Sequence, residues 1–217
     1  MSDPTLLVVA KAPVSGFAKT RIARDVGDDA AADLAAAALL DTLDTSVDSG
    51  MTVVVALTGD LDRAARSDEI RAVLAGLVVV PQVGESFGER LARAHLDADG
   101  GHGVVQVGMD TPQVRTDDLA EAAERLGDHR SVLGPADDGG WWLLGIQRGS
   151  DAAALATVEM STPSTGQHTR EVLPGPTALV RSLRDVDTWA DARTVAAVIP
   201  DSRFAAAVTA CCELVRA

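Results

Sequence analysis

The segment Leu6-Leu7-Val8-Val9-Ala10-Lys11-Ala12-Pro13-Val14-Ser15-Gly16-Phe17-Ala18-Lys19-Thr20-Arg21 decides the fold. Its first five residues form an unbroken apolar run, the length of a strand buried on both faces of a parallel sheet. A basic loop follows at once. From Lys11 to Arg24 the chain carries four positive charges and no acid, although the 217-residue protein has a net charge of −13. Lys11 and Lys19 are its only lysines; the other 17 basic residues are arginines. A glycine set among small residues and cations after a first strand suits a polyphosphate. Backbone N–H groups can approach the anion at Gly16, while Lys11, Lys19 and Arg21 neutralise it. The alternative is a solvated basic loop facing an acidic surface. The spacing is not that of a P-loop, which needs Gly directly before Lys-Ser/Thr. Here Phe17 and Ala18 separate Gly16 from Lys19.

Outward from this segment, strand and helix signals alternate. Strands are expected at Met51–Leu57, Leu77–Val80, Val104–Val107, Ser131–Pro135, Trp141–Ile146 and Ala178–Leu183. Helices are expected from Asp28 or Asp29, as cap, to Val47, then at Leu61–Leu74, Phe87–Leu96, Asp117–Leu126, Trp189–Val198 and Ser202–Val215. In the first of these, Asp33, Asp41, Asp44 and Asp48 read as a solvated face. The region Ser161–Gly175 reads as turn-rich around a short helix. The alternation predicts a three-layer α/β/α sandwich with a mostly parallel mixed sheet, formed as one domain over residues 1–217.

Composition narrows the function. A sequence pI near 4.6 disfavours nucleic-acid binding, which needs a basic face to displace counterions, and docking on an anionic membrane. No apolar run approaches the roughly 20 residues of a membrane span. The N-terminus lacks the basic region of a signal peptide. The two cysteines, Cys211 and Cys212, are adjacent and make no disulfide framework. Together these predict a cytoplasmic protein.

Open α/β sheets bind ligands beyond the carboxyl ends of their strands. Three further polar clusters follow predicted strands. Asp110, in Gly108-Met109-Asp110-Thr111-Pro112, suits a hard cation such as Mg²⁺ or Mn²⁺, or bonds its own turn. In Asp185-Val186-Asp187-Thr188 one acid is expected to face a shared metal and the other to cap the next helix; both as turn or cap residues is the alternative. Asp137-Asp138-Gly139-Gly140 allows close backbone approach to a substrate, or simply turns a hairpin. After it, Trp141 and Trp142 should place one ring in the core and one on the opposite face.

In order along the chain, AKAPVSGFAKTRIA, VGMDTPQV, LGPADDGGWWLLGI and RDVDTWADA resemble the motifs of a bacterial glycosyltransferase-like family. That family belongs to the nucleotide-diphospho-sugar transferase superfamily, with its GT-A fold. The stretch Gln82…Gly84-Glu85-Ser86-Phe87-Gly88-Glu89-Arg90 resembles the family's L-G-E-R motif, with Phe87 in place of the usual Leu. The better-understood relatives are 2-phospholactate and molybdenum-cofactor guanylyltransferases. The resemblance implies that Lys11, Gly16, Lys19, Thr20 and Arg21 bind nucleotide phosphates, with Lys19 and Asp110 catalytic. It implies Asp110 as the main Mg²⁺ or Mn²⁺ ligand, with Asp185 or Asp187 as the second. Gly88, Arg90, Asp138, Gly139 and Gly140 would bind substrate. Two chemistries fit: nucleotidyl transfer from an NTP to a small phosphorylated or acidic acceptor, and glycosyl transfer from a nucleotide sugar. A non-catalytic nucleotide-binding module is a third reading.

Overall fold

A computed structural model describes residues 3–216. Its strands are β1 (Thr5–Lys11), β2 (Val53–Thr58), β3 (Val78–Pro81), β4 (Val104–Gly108), β5 (Ser131–Pro135), β6 (Trp141–Ile146) and β7 (Thr177–Leu179). The helices are α1 (Thr20–Val26), α2 (Asp28–Asp48), α3 (Ser67–Leu74), α4 (Phe87–Ala98), α5 (Thr116–Asp128), α6 (Thr165–Val172), α7 (Trp189–Val198) and α8 (Arg203–Arg216).

All these strands join one sheet in the order β3-β2-β1-β4-β6-β5-β7. Only β6 runs antiparallel to its neighbours. β1 is buried from Thr5 to Ala10 because helices cover it on both sides. Leu6, Val8 and Ala10 face α2, α3 and α5, while Leu7 and Val9 face α4. That split is the period-two alternation of a strand. The predicted three-layer α/β/α sandwich with a mostly parallel mixed sheet is therefore what the chain forms.

Several boundaries differ from expectation, each for a local reason. The basic loop ends at Lys19, and Thr20–Val26 coils into α1, so Arg21 and Arg24 sit on a helix. Gly27, at φ 87°, turns the chain into α2 and occupies its N-cap in place of Asp28 or Asp29. Those two acids lie in the first turn, where the helix dipole favours negative charge. The Leu61–Leu74 helix is broken: a 3-10 turn covers Leu61–Arg63, and Arg66 at φ 51° precedes α3. The last strand pairs only over Thr177–Leu179 and rejoins the sheet at a bridge between Ala136 and Leu183.

The acids of α2 are not merely a solvated face. Asp33 receives a bidentate pair from Arg66 at 2.7 and 2.8 Å. Asp41 and Asp44 hold Arg203 at the start of α8. α2 is thus sandwiched between the sheet and an outer cluster formed with α1, α7 and α8.

Besides α1, one more element escaped the sequence reading. Gly149–Thr157 forms a 3-10 segment packed along α4. The contact is backbone to backbone: a Cβ at Gly88 would overlap the carbonyl of Leu155. Gly88→Ala is therefore expected to cost about 2 kcal/mol, read as a lower urea midpoint. An unchanged midpoint would show that α4 and this segment do not touch so closely.

Candidate functional site

The chain runs from β1 to β2 and β3 on one side, then returns to place β4 on the other. The carboxyl ends of β1 and β4 therefore flank the point where strand order reverses, where open sheets bind ligands. A cavity of about 500 Å³ opens there, with Lys11, Arg90, Asp110, Trp141, Asp185 and Asp187 on its walls. A second chamber of about 480 Å³ adjoins it. The two share Lys11, Arg21, Asp110 and Asp187, and the second adds Lys19 and Thr20.

The basic loop is built by its own backbone. The N–H groups of Phe17 and Ala18 both donate to the carbonyl of Val14, across a turn in which Gly16 has φ 76°. Lys11 Nζ donates to the Phe17 carbonyl at 3.0 Å and stays exposed. Gly16 turns the loop but lies on neither cavity wall.

Lys19 behaves differently from the other cations. Its backbone is left-handed, at φ 48° and ψ 45°, and its side chain is only 10% exposed. Nζ lies 2.6 Å from Asp110 Oδ1 and 3.8 Å from Asp187 Oδ1, and it donates to the Val186 carbonyl. In this structure the Lys19 ammonium, expected to bind phosphate, is paired with Asp110. Arg21 bonds Asp187 at 2.8 Å and remains largely exposed.

The acids come together from two places. Asp110 follows β4, and its carbonyl accepts the Val186 N–H, which ties the late segment to the strand end. Its carboxylate pairs with Lys19 and shows no bond to its own turn. Asp185 and Asp187 both line the main cavity, whereas Val186 between them is fully buried. This corrects the split of roles expected for the pair: alternate residues of an extended chain share a side. Thr188 caps α7 reciprocally with Asp191, so neither Asp185 nor Asp187 is needed there. Asp185 Oδ1 is shielded from solvent and has no hydrogen-bond partner. Burial, then the charges of Asp110 and Asp138, push its carboxyl up to about 8.

The glycines divide. Gly140 lines the cavity, and its N–H donates to Asp138 Oδ1 at 2.8 Å. Gly88 and Gly139 do not line it. A Cβ at Gly139 would overlap the Pro163 carbonyl, so this glycine docks one loop on another. Gly88, like Gly139, is required by close backbone packing, against Leu155. Arg90 faces the cavity over the Phe87 ring at 5.5 Å, and its Nε has no partner. The tryptophans divide as expected: Trp142 is buried in the core on one face of the sheet and Trp141 is half-buried on the opposite face, and both touch the cavity.

The sequence reading missed two contributors. Gln82 donates to the carbonyls of Ala10 and Ala56 at 2.8 and 2.9 Å, clamping the ends of β1 and β2. Met160–Thr162 forms a wall, with Ser161 at φ 62°. The only advance signal was the Ser/Thr/Pro cluster at 161–165.

Carboxylates are the donors a hard divalent cation selects, and Mg²⁺ or Mn²⁺ needs only one or two from protein. The partnerless Asp185 oxygen near Asp110 fits such an ion. Among the described residues no three His, Cys, Asp or Glu side chains already converge on one ion position. Nor is any helix among them long and apolar enough to cross a membrane.

Residues 42–162 match the family described as "Uncharacterized protein conserved in bacteria (DUF2064)". The chain belongs to that family. No curated protein matches it in sequence. Among solved structures it is similar to a protein of Desulfovibrio desulfuricans G20 provisionally named a nucleotide-diphospho-sugar transferase. That pair shares 26% identity over 100% of this chain and 98% of the other, with a TM-score of 0.85. It shares the fold of Rv0371c from Mycobacterium tuberculosis H37Rv in complex with manganese. There the identity is 21% over 89% and 97% of the two chains, and the TM-score 0.56. It also shares the fold of CMP:2-keto-3-deoxy-manno-octonic acid synthetase complexed with CTP. There the identity is 13% over 92% and 99%, and the TM-score 0.59.

Proposed function

We propose that this chain is a metal-dependent nucleotidyltransferase that joins the nucleotidyl group of an NTP to a small phosphorylated or acidic acceptor. The observation that carries this reading is the second, cation-lined chamber, which shares Asp110 with the main cavity. A nucleotide with its α-phosphate at Asp110 has room there for a pyrophosphate, facing Lys11, Thr20 and Arg21. The acceptor oxygen attacks the α-phosphorus, the bond from that phosphorus to the bridging oxygen breaks, pyrophosphate leaves, and the acceptor proton passes to water. Such chemistry is mainly positioning and charge neutralisation. Lys11 and Arg21 offset charge on the leaving group. Asp110, with Asp185 and Asp187, would hold Mg²⁺ or Mn²⁺, which supplies Lewis-acid stabilisation of the phosphoryl oxygens. Arg90, Asp138 and Gly140 line the cavity left for the acceptor.

The synthetase solved with CTP and the manganese complex of Rv0371c, both on this fold, support nucleotide and metal. The motif resemblance to 2-phospholactate and molybdenum-cofactor guanylyltransferases points the same way. The likeness to the Desulfovibrio protein favours a second reading, glycosyl transfer from a nucleotide sugar.

Thermal melts with NTPs and nucleotide sugars, each with and without Mn²⁺, separate the two, because a bound ligand raises the melting temperature by mass action. NTPs are expected to stabilise the chain only with Mn²⁺. Stabilisation by nucleotide sugars alone would replace the first reading by the second. Removing two phosphate contacts, in a Lys11→Gln/Arg21→Gln variant, is expected to weaken Mn–NTP binding about 100- to 10,000-fold, at roughly 1.5–3 kcal/mol net per charged hydrogen bond. Unaltered affinity would remove the chamber from the argument.

A further inference from the structure

We propose that Lys19 holds the place of the metal in the unliganded chain, so that the metal enters as the chelate of a polyphosphate and is not a resident ion. The true donor substrate is then the preformed Mg²⁺ or Mn²⁺ complex of a nucleoside polyphosphate. This inference rests on the proposed function.

The contacts of the Lys19 ammonium are those a small cation would take. It has one carboxylate at 2.6 Å, a second at 3.8 Å and a backbone carbonyl. It reaches them from a left-handed backbone, which residues other than glycine rarely adopt. Ala18 and Ile22, buried on either side, hold the loop in that shape. Independently, no three carboxylates converge around an ion position among the described residues.

A divalent ion arriving alone must expel this ammonium from Asp110. The nearby Asp187 is already paired with Arg21 at 2.8 Å, so the displaced charge gains little there. A polyphosphate changes the exchange. Lys19 also lines the second chamber, where phosphate oxygens would receive its ammonium while the metal takes Asp110. Metal and polyphosphate then bind cooperatively, and each strengthens the other by the same factor, about 5–150-fold for a typical coupling.

The test is calorimetric titration of the full chain with free Mn²⁺ and with Mn²⁺–pyrophosphate. The natural chain is compared with Lys19→Met, Lys19→Gly and Arg21→Gln. Lys19→Gly suits the left-handed position, so a folded variant is secured even if methionine strains it. Removing Lys19 is expected to tighten free Mn²⁺ about tenfold or more and to lower the advantage of the chelate. Arg21→Gln removes an equal charge without freeing Asp110 and is expected to gain less than threefold. Equal gains would reduce Lys19 to background electrostatics and overturn the proposal. So would free Mn²⁺ affinity that is unchanged or weakened without Lys19. If Mn²⁺–pyrophosphate binds neither the natural chain nor the variants, the proposed function itself fails. If it binds them all while free Mn²⁺ affinities stay equal, only the placeholder role falls.

Discussion

Asp110→Asn is expected to lower turnover of a metal–NTP substrate about a thousandfold. The magnitude follows from the several kcal/mol that a metal contributes to transition-state charge, at about 1.4 kcal/mol per tenfold in rate. The substitution keeps the shape and removes the charge at the end of β4. It also withdraws the nearest carboxylate, 2.6 Å away, from the Lys19 ammonium, whose side chain is nine-tenths buried. The variant should therefore melt below the natural chain as well, since a shielded ammonium losing its carboxylate is left poorly compensated. Val186 O and Asp187 retain part of that compensation. Pyrophosphate release and calorimetric binding of Mn²⁺–pyrophosphate give two readouts. The chelate affinity should fall together with the rate. An unimpaired affinity would move the metal away from Asp110, whatever happened to turnover.

Asp185→Asn is expected to act in the opposite direction on stability. In the native chain burial and neighbouring acids raise the Asp185 carboxyl to about 8, far above its ordinary 3.8. Between those values the native state holds a proton that the unfolded state has released. Stability therefore falls as pH rises from about 4 to about 8 and levels off above. Asparagine has no charge to protonate and loses that slope. In EDTA at pH 8 the variant should gain about 2 kcal/mol, which for a chain of this size is about 4–8 °C in Tm. At pH 4 the gain should vanish. The same variant should lose most of the stabilisation that Mn²⁺ with pyrophosphate confers. Equal melting temperatures at pH 8 would show that Asp185 is already compensated and free the metal reading of its strongest support.

The parts of the site legible in the sequence were those whose chemistry is local. Leu6–Ala10 announces a buried strand, and the cations after it need no partner to be noticed. Asp110 was legible because a carboxylate beside a proline turn at a strand end is unusual by itself. What stayed hidden depends on distant contacts. Nothing near Lys19 says that its ammonium turns inward to Asp110. Gly88 and Gly139 read as substrate glycines because a close approach looks the same in sequence whatever approaches; the partners are Leu155 and Pro163. Gln82 only opens the stretch that resembles the L-G-E-R motif, and its value appears when the ends of β1 and β2 lie side by side. The acids of α2 looked solvated because their partners Arg66 and Arg203 come much later in the chain.

The bond from Lys19 to Val186 spans 167 positions and that from Arg21 to Asp187 spans 166. Closing so long a loop costs chain entropy before any contact repays it, and non-local pairings are the slow part of folding. The cation–carboxylate junction is therefore an end product of folding, with no contiguous half of the chain able to make it. A nascent or proteolysed chain lacking its last forty residues can keep β1, β4 and the basic loop, but it holds Lys19 without Val186 and Asp187. Under the proposed function, activity needs the late segment as well as the basic loop, and loss of residues 185–187 should act as an on–off change in activity.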